Sequence, residues 1–472
     1  MRTWRSWIAA LLLMLPGVSW AEEVADPPLP EETLPDGAAP NDEEVEGAAT
    51  EKGMDTPPAP PNWPNARWTN LLRVEVTPWA LLPRGGVGTD EGFLQVAPTI
   101  VFERGADFGI SLGAPIRLRM WGQKDGGVFR REDWDTLSDW GQLVRSLKLG
   151  SDRAPLGVWF GRLEDYGLLS GHLVRRYSNT LNPDYHPAAG ALTGTLGPVY
   201  VEAFASDVLG ARLMGAEAEL DLEHVLFGKP KQKARYTLGV SAVHDWGRAG
   251  GRSPSVTLAH MDAVAMVVIR PGFEAHVFAG WGGRPGEGGA WGAVAGVGAD
   301  AMTPTLDLIL RLEARSQRGG FRQGFIGADY ELARFQAAGT EGVPLADATF
   351  PDGYSVFGEA HVGWDAVRYG GLRKHLKLSL GAEAFSWGRF DVDGRVSMQL
   401  FERALEVALK GLAVGAGKPG ARYLGAAEVR WRFLGGKLYA MGTGGTLLFP
   451  TAEGPLRPGA FASVGLGVDN AR

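Results

Sequence analysis

Cysteine is absent from all 472 residues. No disulfide can staple the chain, and no thiolate can hold a metal or attack a substrate. Long apolar runs are missing as well. Beyond the first twenty residues the longest, Ala263–Ile269, has seven, against the ~20 that a membrane-crossing helix needs. If this chain enters a membrane, it does so with strands. The 8 histidines are scattered, without the paired spacing of a metal site. The glycine-rich runs lack the strand–loop–helix setting and following Lys-Ser/Thr of a phosphate loop. No cofactor is implied, and Asp391 and Asp393 beside Gly394 read as a hairpin turn rather than a calcium loop.

The N-terminus carries an address. Arg2 and Arg5 precede the apolar stretch Ile8 to Leu15, and Ser19-Trp20-Ala21 puts small residues at the −3 and −1 positions of a cleavage site. This is the layout of a secretory signal peptide over 1–21; a buried apolar helix is the alternative. Residues 22–66 hold twelve acids and one base, Lys52. Acidic, proline-rich and poor in large apolar residues, they cannot recover their ordering entropy and read as a disordered periplasmic linker. Pro57-Pro58-Ala59-Pro60-Pro61 is its stiffest part. The linker serves as a tether, or binds cell wall or a periplasmic partner. It carries −11 and the leader +2, so the overall −7 leaves +2 for residues 67–472. An exported, nearly neutral body does not suit nucleic acid.

From Trp68 onward the texture is alternation with period two. Ile116, Leu118 and Met120 interleave with Arg117 and Arg119. Leu306, Leu308, Leu310 and Leu312 do so with Asp307, Ile309, Arg311 and Glu313. Leu376 to Glu383, Leu405 to Lys410 and Glu428 to Phe433 repeat the pattern. Each segment has an oily face and a charged one. A soluble sandwich alternates too, but three features favour a barrel in lipid. The segments run about ten to fourteen residues, longer than soluble strands. Arg and Glu share the charged face, which suits a wet lumen rather than a dry core. Trp79, Trp121, Trp246, Trp281, Trp364 and Trp387 lie near segment ends, as an aromatic girdle requires. Glycine, 68 residues in all and dense in Gly288 to Gly298, permits close packing and bending of a large sheet. The expected fold is all-β: a large transmembrane antiparallel up-and-down β-barrel over 67–472. At roughly 20–25 residues per strand and connection it has about 18 strands, within a range of about 16–20. Ala460 to Val468 reads as the closing strand.

Residues 130 to 190 differ. Leu137, Trp140, Leu143, Val144 and Leu147 have the spacing of a short amphipathic helix, capped by Asp135 or Ser138. It packs across a barrel end or constricts the lumen, a further strand being the third option. Gly157 to Leu163 reads as a strand. A dense polar stretch follows, with Arg162, Glu164, Asp165, Tyr166, His172, Arg175, Arg176, Tyr177, Asn179, Asn182, Asp184 and His186. So many charges cannot face lipid, so they line the lumen or sit in a solvated loop. The run Asp133-Trp134-Asp135, Asp139, Leu147 and Gly150, then Gly171-His172-Leu173-Val174, Tyr177 and Asn179, to Gly190, resembles uncharacterised porin-like outer-membrane β-barrel proteins. In these a Gly-His-Gly-Thr-Leu-Val run precedes the Tyr and Asn. Here Leu169, Ser170, Gly171, His172, Leu173 and Val174 stand in its place, so the histidine is out of register. The resemblance spans about residues 133–190. It implies a barrel with an internal constricting element, inserted in outer-membrane lipid by the barrel-assembly machinery, and carries no activity.

The leading expectation is a porin-like channel for passive diffusion of small polar solutes, without enzymatic activity. The pore-lining and constriction residues expected are Arg117, Arg119, Arg162, Glu164, Asp165, His172, Arg175, Arg176, Glu217, Glu219, Arg311, Glu313, Glu428, Arg430 and Arg432. Their mixed signs argue against strong ion preference. A non-transport scaffold or surface-display barrel with a filled lumen is the alternative. A third reading is a barrel lipid hydrolase built on Ser170, His172, Ser178 and Asn179. Homo-oligomer formation is left open.

Overall fold

The computed structural model describes residues 71–470 apart from 84–89, 105–107, 123–126, 151–154, 229–233, 248–254, 287, 304, 341–349, 365–374 and 402–403. The leader over 1–21 and the linker over 22–66 lie outside the described residues. Alternation does what period two requires: the chain runs almost entirely as antiparallel strands in one sheet. In order these are β1 (Leu71–Pro83), β2 (Glu91–Arg104), β3 (Phe108–Leu112), β4 (Ile116–Trp121), β5 (Val144–Leu149), β6 (Leu156–Gly161), β7 (Ala189–Leu196), β8 (Val199–Ala205), β9 (Leu213–Asp221) and β10 (Tyr236–Asp245). They continue as β11 (Val256–Arg270), β12 (Phe273–Gly283), β13 (Trp291–Met302), β14 (Leu306–Arg318), β15 (Gly353–Trp364), β16 (Leu376–Phe385), β17 (Phe390–Leu400), β18 (Leu405–Val414), β19 (Arg422–Phe433), β20 (Leu438–Pro450) and β21 (Leu456–Asp469).

The sheet closes where β21 pairs with β1, Trp79 opposite Ser463. Two of the strands are halves of one stave. Ile100 of β2 faces Leu112 of β3, and Val96 faces Ile116 of β4, so the register continues across the break. Gly113–Pro115 makes that break. Gly113 has φ 142°, and a Cβ there would lie 2.0 Å from the Pro98 carbonyl oxygen. Pro115 has no N–H to give the ladder. The barrel therefore closes on 20 staves, at the upper end of the expected range.

Strand β14 shows which face goes where. Leu310 and Leu312 are 42% and 54% exposed, while Glu313 and Arg315, next along the strand on the other face, are 1% and 4%. The same holds around the ring: Val240, Val297, Val429, Trp431 and Val464 are exposed on the outer wall. In a soluble sandwich these oily rows would meet one another in a core. Here they cover the outside, and the ionic rows face in.

Three local expectations are corrected. The helix near 137–147 is only a 3-10 turn, Leu137–Leu143, and β5 begins at Val144 because that segment pairs with β3. Its cap is Thr136, whose backbone N–H and hydroxyl donate to the Asp139 carboxylate (2.9 and 2.6 Å), not Asp135 or Ser138. Its polar side is the buried one: Ser138 donates to Asp207, and Asp139 accepts from His186 N (3.0 Å). Leu137, Trp140 and Leu143 are exposed and extend the apolar outer wall past the rim. Trp79 does not join an outer girdle; it points inward, buried against Phe93 with Arg117 stacked 4.2 Å from its ring. Asp391 and Asp393 are not in a turn but in β17, facing inward, and Arg389 grips Asp391 from the preceding connection.

Candidate functional site

At the end of the barrel where β1 begins and β21 finishes most connections are short, the link from β9 to β10, with the helix Leu222–Phe227, and the link from β15 to β16 being the longer ones. The long segments 162–188 and 319–340 both leave from the opposite end and turn into the lumen. They meet there as a small parallel pairing. Gly324 N donates to His172 O (2.6 Å), Ile326 N to Leu173 O (3.0 Å) and Arg175 N to Ile326 O (3.0 Å). Gly171 and Gly324 supply the left-handed turns (φ 68° and 63°) that let two loops run alongside each other. The Leu173-Val174 pair and Tyr177 of the recognised motif are the buried centre of this insert.

An apolar core forms between insert and wall. Leu168, Leu173, Val174, Phe321, Phe325 and Ile326 pack on Trp159, Phe204, Leu213, Val243, Val256 and Leu258, inward residues of β6 to β11. The glycines of β12 and β13 are clearances, not general bends. A Cβ on Gly292 would meet the Phe321 ring at 2.9 Å, and one on Gly298 would meet the His276 ring at 2.2 Å.

Ion pairs complete the seal. Arg176 takes a left-handed φ of 54°, which sends Arg175 and Arg176 into the wall side by side. Arg175 reaches Glu313 (3.3 Å) and Glu359; Arg176 reaches Glu359 (3.1 Å) and Asp393 (2.5 Å). Gly381 leaves room for it, since a Cβ there would lie 2.8 Å from Arg176 Nε. Asp165 accepts from Ser379 (2.8 Å). Glu313 collects Arg175, Arg311 and Arg315. On the helix Tyr330–Ala337, Glu331 accepts from Tyr177 and Arg334, while Tyr330 donates to Asp245 (2.8 Å). Glu217 accepts from Ser170 N (3.0 Å); its neighbour Glu219 also faces inward, across from Gly239. Burial and the facing Arg311 push the His172 imidazole well below its usual pKa. Its ring lies on His260, centroids 4.5 Å apart, with Arg311 Nη2 at 3.4 Å.

The constellation considered for a hydrolase does not assemble. Ser170 Oγ accepts from the backbone N–H of His172 (3.4 Å), and Ser178 pairs with Thr180. Asn179 is spent on Leu163 N and Ser206 O.

The other expected residues stand apart from this seal. Arg117 and Arg119 face inward at one rim, on Asp133 (2.6 Å) and Glu91. Burial alone would raise Asp133, but the His186 hydrogen bond with Arg117 and Arg130 brings it down to about 2. Glu428, Arg430 and Arg432 line β19, where Arg430 meets Glu428, Glu406 and Glu75 (3.2–3.6 Å) and Arg432 meets Asp469 (3.1 Å). Arg162 is exposed, and Glu164 pairs with Arg395 (3.1 Å). Arg395 and Lys410 lie opposite each other at mid-height of β17 and β18. Both are exposed although both face the interior, Arg395 by 52% and its partner Glu164 by 42%. Water therefore reaches the middle of the barrel along this wall.

Sequence reasoning missed the second insert, 319–340. The signal was there: alternation ends at Arg318, and Gly319-Gly320 opens a stretch with Tyr330, Ala333 and Ala337 at helical spacing. It also missed Arg395 and Arg145, and it placed Lys410 on the charged face of its segment without counting it among the lining residues.

No protein-family model matches the chain, and no curated sequence does. Among solved structures it is similar to Wzi of Escherichia coli, an outer membrane protein involved in group 1 capsule assembly and a carbohydrate-binding β-barrel. That match has 12% identity, covers 85% of this chain and 84% of that one, and has a TM-score of 0.36. It is similar to the outer membrane protein opdK of Pseudomonas aeruginosa (9%, 84% and 98%, 0.35) and to a BenF-like porin of Pseudomonas fluorescens (9%, 84% and 98%, 0.32). Residue roles do not transfer at such identities.

Proposed function

We propose that this protein is a porin-like channel of the outer membrane, passing small polar solutes through the open half of a half-filled lumen. The outward rows of Leu, Val and Trp suit hydrocarbon, where an inward charge would cost ~2–4 kcal/mol at the midplane if turned outward. The single observation that carries the channel is the exposure of Arg395 and Lys410 at mid-height, inside a closed wall. A lumen sealed throughout would bury them as it buries Glu313 and Arg315. In this reading the inserts 162–188 and 319–340 narrow the bore, and the 22–66 segment is a periplasmic tether. Lipid and the assembly machinery are the partners it calls for.

The rival is a non-transport scaffold or display barrel, favoured by the packed core between insert and wall. Planar-bilayer recording of the purified protein separates them. The channel reading expects discrete conductance steps, smaller than an empty barrel of 20 staves would give. Silence at every voltage and in both orientations would hand the case to the scaffold.

A further inference from the structure

We infer that the open half of the lumen holds a binding site for a small oxyanion, a carboxylate or phosphate, formed by Arg145, Arg162, Arg395 and Lys410. This rests on the channel reading above and names what the open half selects.

The geometry begins with a bulge. The β3–β5 register shifts between Ser111 and Leu112, which turns Arg145 inward out of the strand's alternation. Arg145 gives Nε to the Gly113 carbonyl (2.9 Å) and so fixes its guanidinium plane. Its electrostatic neighbours are Arg162, Arg73, Glu75 and Tyr439. Arg162 enters where Gly161, at φ 149°, ends β6 and the chain turns inward. Glu164, two residues on, lies within electrostatic reach of Lys410, Arg395 and Arg162 at once.

The charges do not balance. Three of the cations, Arg162, Arg395 and Lys410, share one carboxylate, Glu164, which is bonded to Arg395, and the carboxylate within reach of Arg145 is Glu75. Every other carboxylate in reach is already engaged. Glu75 accepts from Tyr439 (2.7 Å) and faces Arg430; Asp393 is held by Arg176. Among the described residues, Arg145, Arg162 and Lys410 have no carboxylate at ion-pair distance, whereas Arg73, Arg430 and Arg432 each have at least one. Like charges gathered along one wall of the lumen repel, and a bound anion relieves them. Guanidinium forks match the two oxygens of a carboxylate or phosphate, and the Lys410 ammonium adds a point charge.

The test uses the full mature chain in a planar bilayer across a potassium chloride gradient, with Arg162→Gln and Lys410→Gln beside it. The expected chloride-over-potassium permeability ratio is about three or more, falling toward one in the double variant. Inorganic phosphate or acetate should block the chloride current saturably in the unaltered protein and far less in Arg162→Gln, with Arg162→Lys partly restoring block. Whichever of the two blocks at the lower concentration names the ligand. A channel that conducts with no anion preference and no block overturns the site and leaves the channel standing. If nothing conducts, line broadening of inorganic phosphate in ³¹P spectra of the detergent-solubilised protein decides instead. Saturable broadening lost in Arg162→Gln keeps the site without the channel; none removes both.

Discussion

Two halves of one lumen are built from the same side chains and treated in opposite ways. Along β7 to β16 the inward Arg and Glu residues meet the inserts, lose water and are held by ion pairs or by hydrogen bonds from the inserts: Glu313 and Arg315 are almost fully buried, and Glu217 accepts from Ser170 N. At mid-height of β17 to β19 the inward residues are as ionic, yet Arg395, Lys410 and Glu428 remain wet. The difference lies in what faces each wall. Where a second layer of chain is docked, ion pairs become fasteners whose loss leaves a charge in a dry place. Where water faces the wall, the same pairs are worth little and are available to solutes. An ionic face in the sequence therefore shows where water or a counter-charge must be, without saying which.

The sharpest way to break this contrast is Glu313→Gln. It removes the carboxylate shared by Arg175, Arg311 and Arg315; Arg311 is left without a carboxylate, while Arg175 keeps only Glu359 and Arg315 only Glu383. A loss of about 3–5 kcal/mol is expected, read as a lower unfolding midpoint in detergent together with larger, noisier conductance as the insert detaches. An unchanged midpoint would mean the packed half is not fastened as described. Next come Leu312→Arg and Leu409→Arg, mid-strand outward positions behind the packed and open halves. If the halves differ inside but share one apolar exterior, each costs about 2–4 kcal/mol in a bilayer. A cost near zero at both would remove the wall from lipid.

Acidity should loosen the packed half alone. His172 faces Arg311 and Glu313 of β14 and His260 of β11, with Arg175 beside it, and its imidazole is held well below the ordinary value. The undocked insert binds a proton near pH 6.5 that the docked one refuses, so docking is fully stable above that pH and weakens as pH falls below it. The slope is on the order of 1 kcal/mol per pH unit while the docked ring stays neutral. Conductance should rise between pH 6.5 and 5 and do so much less in His172→Gln. A flat profile in the unaltered protein would dismiss His172 as the acid-sensitive contact.

How much of this could be read from residues alone follows the same division. Alternation fixes which face is oily, so Leu310, Leu312, Val429 and Trp431 were placed correctly, and closure through Ala460 to Val468 was visible as a last strand. What alternation cannot give is the occupant of the lumen. The polar stretch 162–186 announced itself by charge density, but its counterpart 319–340 is mostly small and aromatic and carries no such flag. Trp79 was misplaced because a Trp near a strand end suits a lipid boundary and a lumen equally; only its parity with Thr77 and Leu81, both inward and buried, decides. Val144 and Leu147 were read at helical spacing, yet pairing with β3 overrides local propensity there. Arg145 was invisible for a related reason: a bulge changes the facing of one residue without leaving a trace in composition.

The smallest expected effect sharpens the comparison most cleanly. Glu428→Gln removes a carboxylate from the open wall, where Arg430 retains Glu406 and Glu75 within 3.6 Å. Side chain for side chain the change matches Glu313→Gln: one oxygen becomes an amide, and volume is kept. In water a partner lost from such a network is replaced by solvent, so stability should move by about 0.5 kcal/mol or less. Its mark should appear in transport instead. One negative charge fewer beside a cationic passage raises anion preference slightly, and the shift fades at high salt because surface charges are screened over about 10 Å at 0.1 M. A destabilisation as large as that of Glu313→Gln would show that the β19 wall is as dry as β14, and the lumen would then be one packed region rather than two.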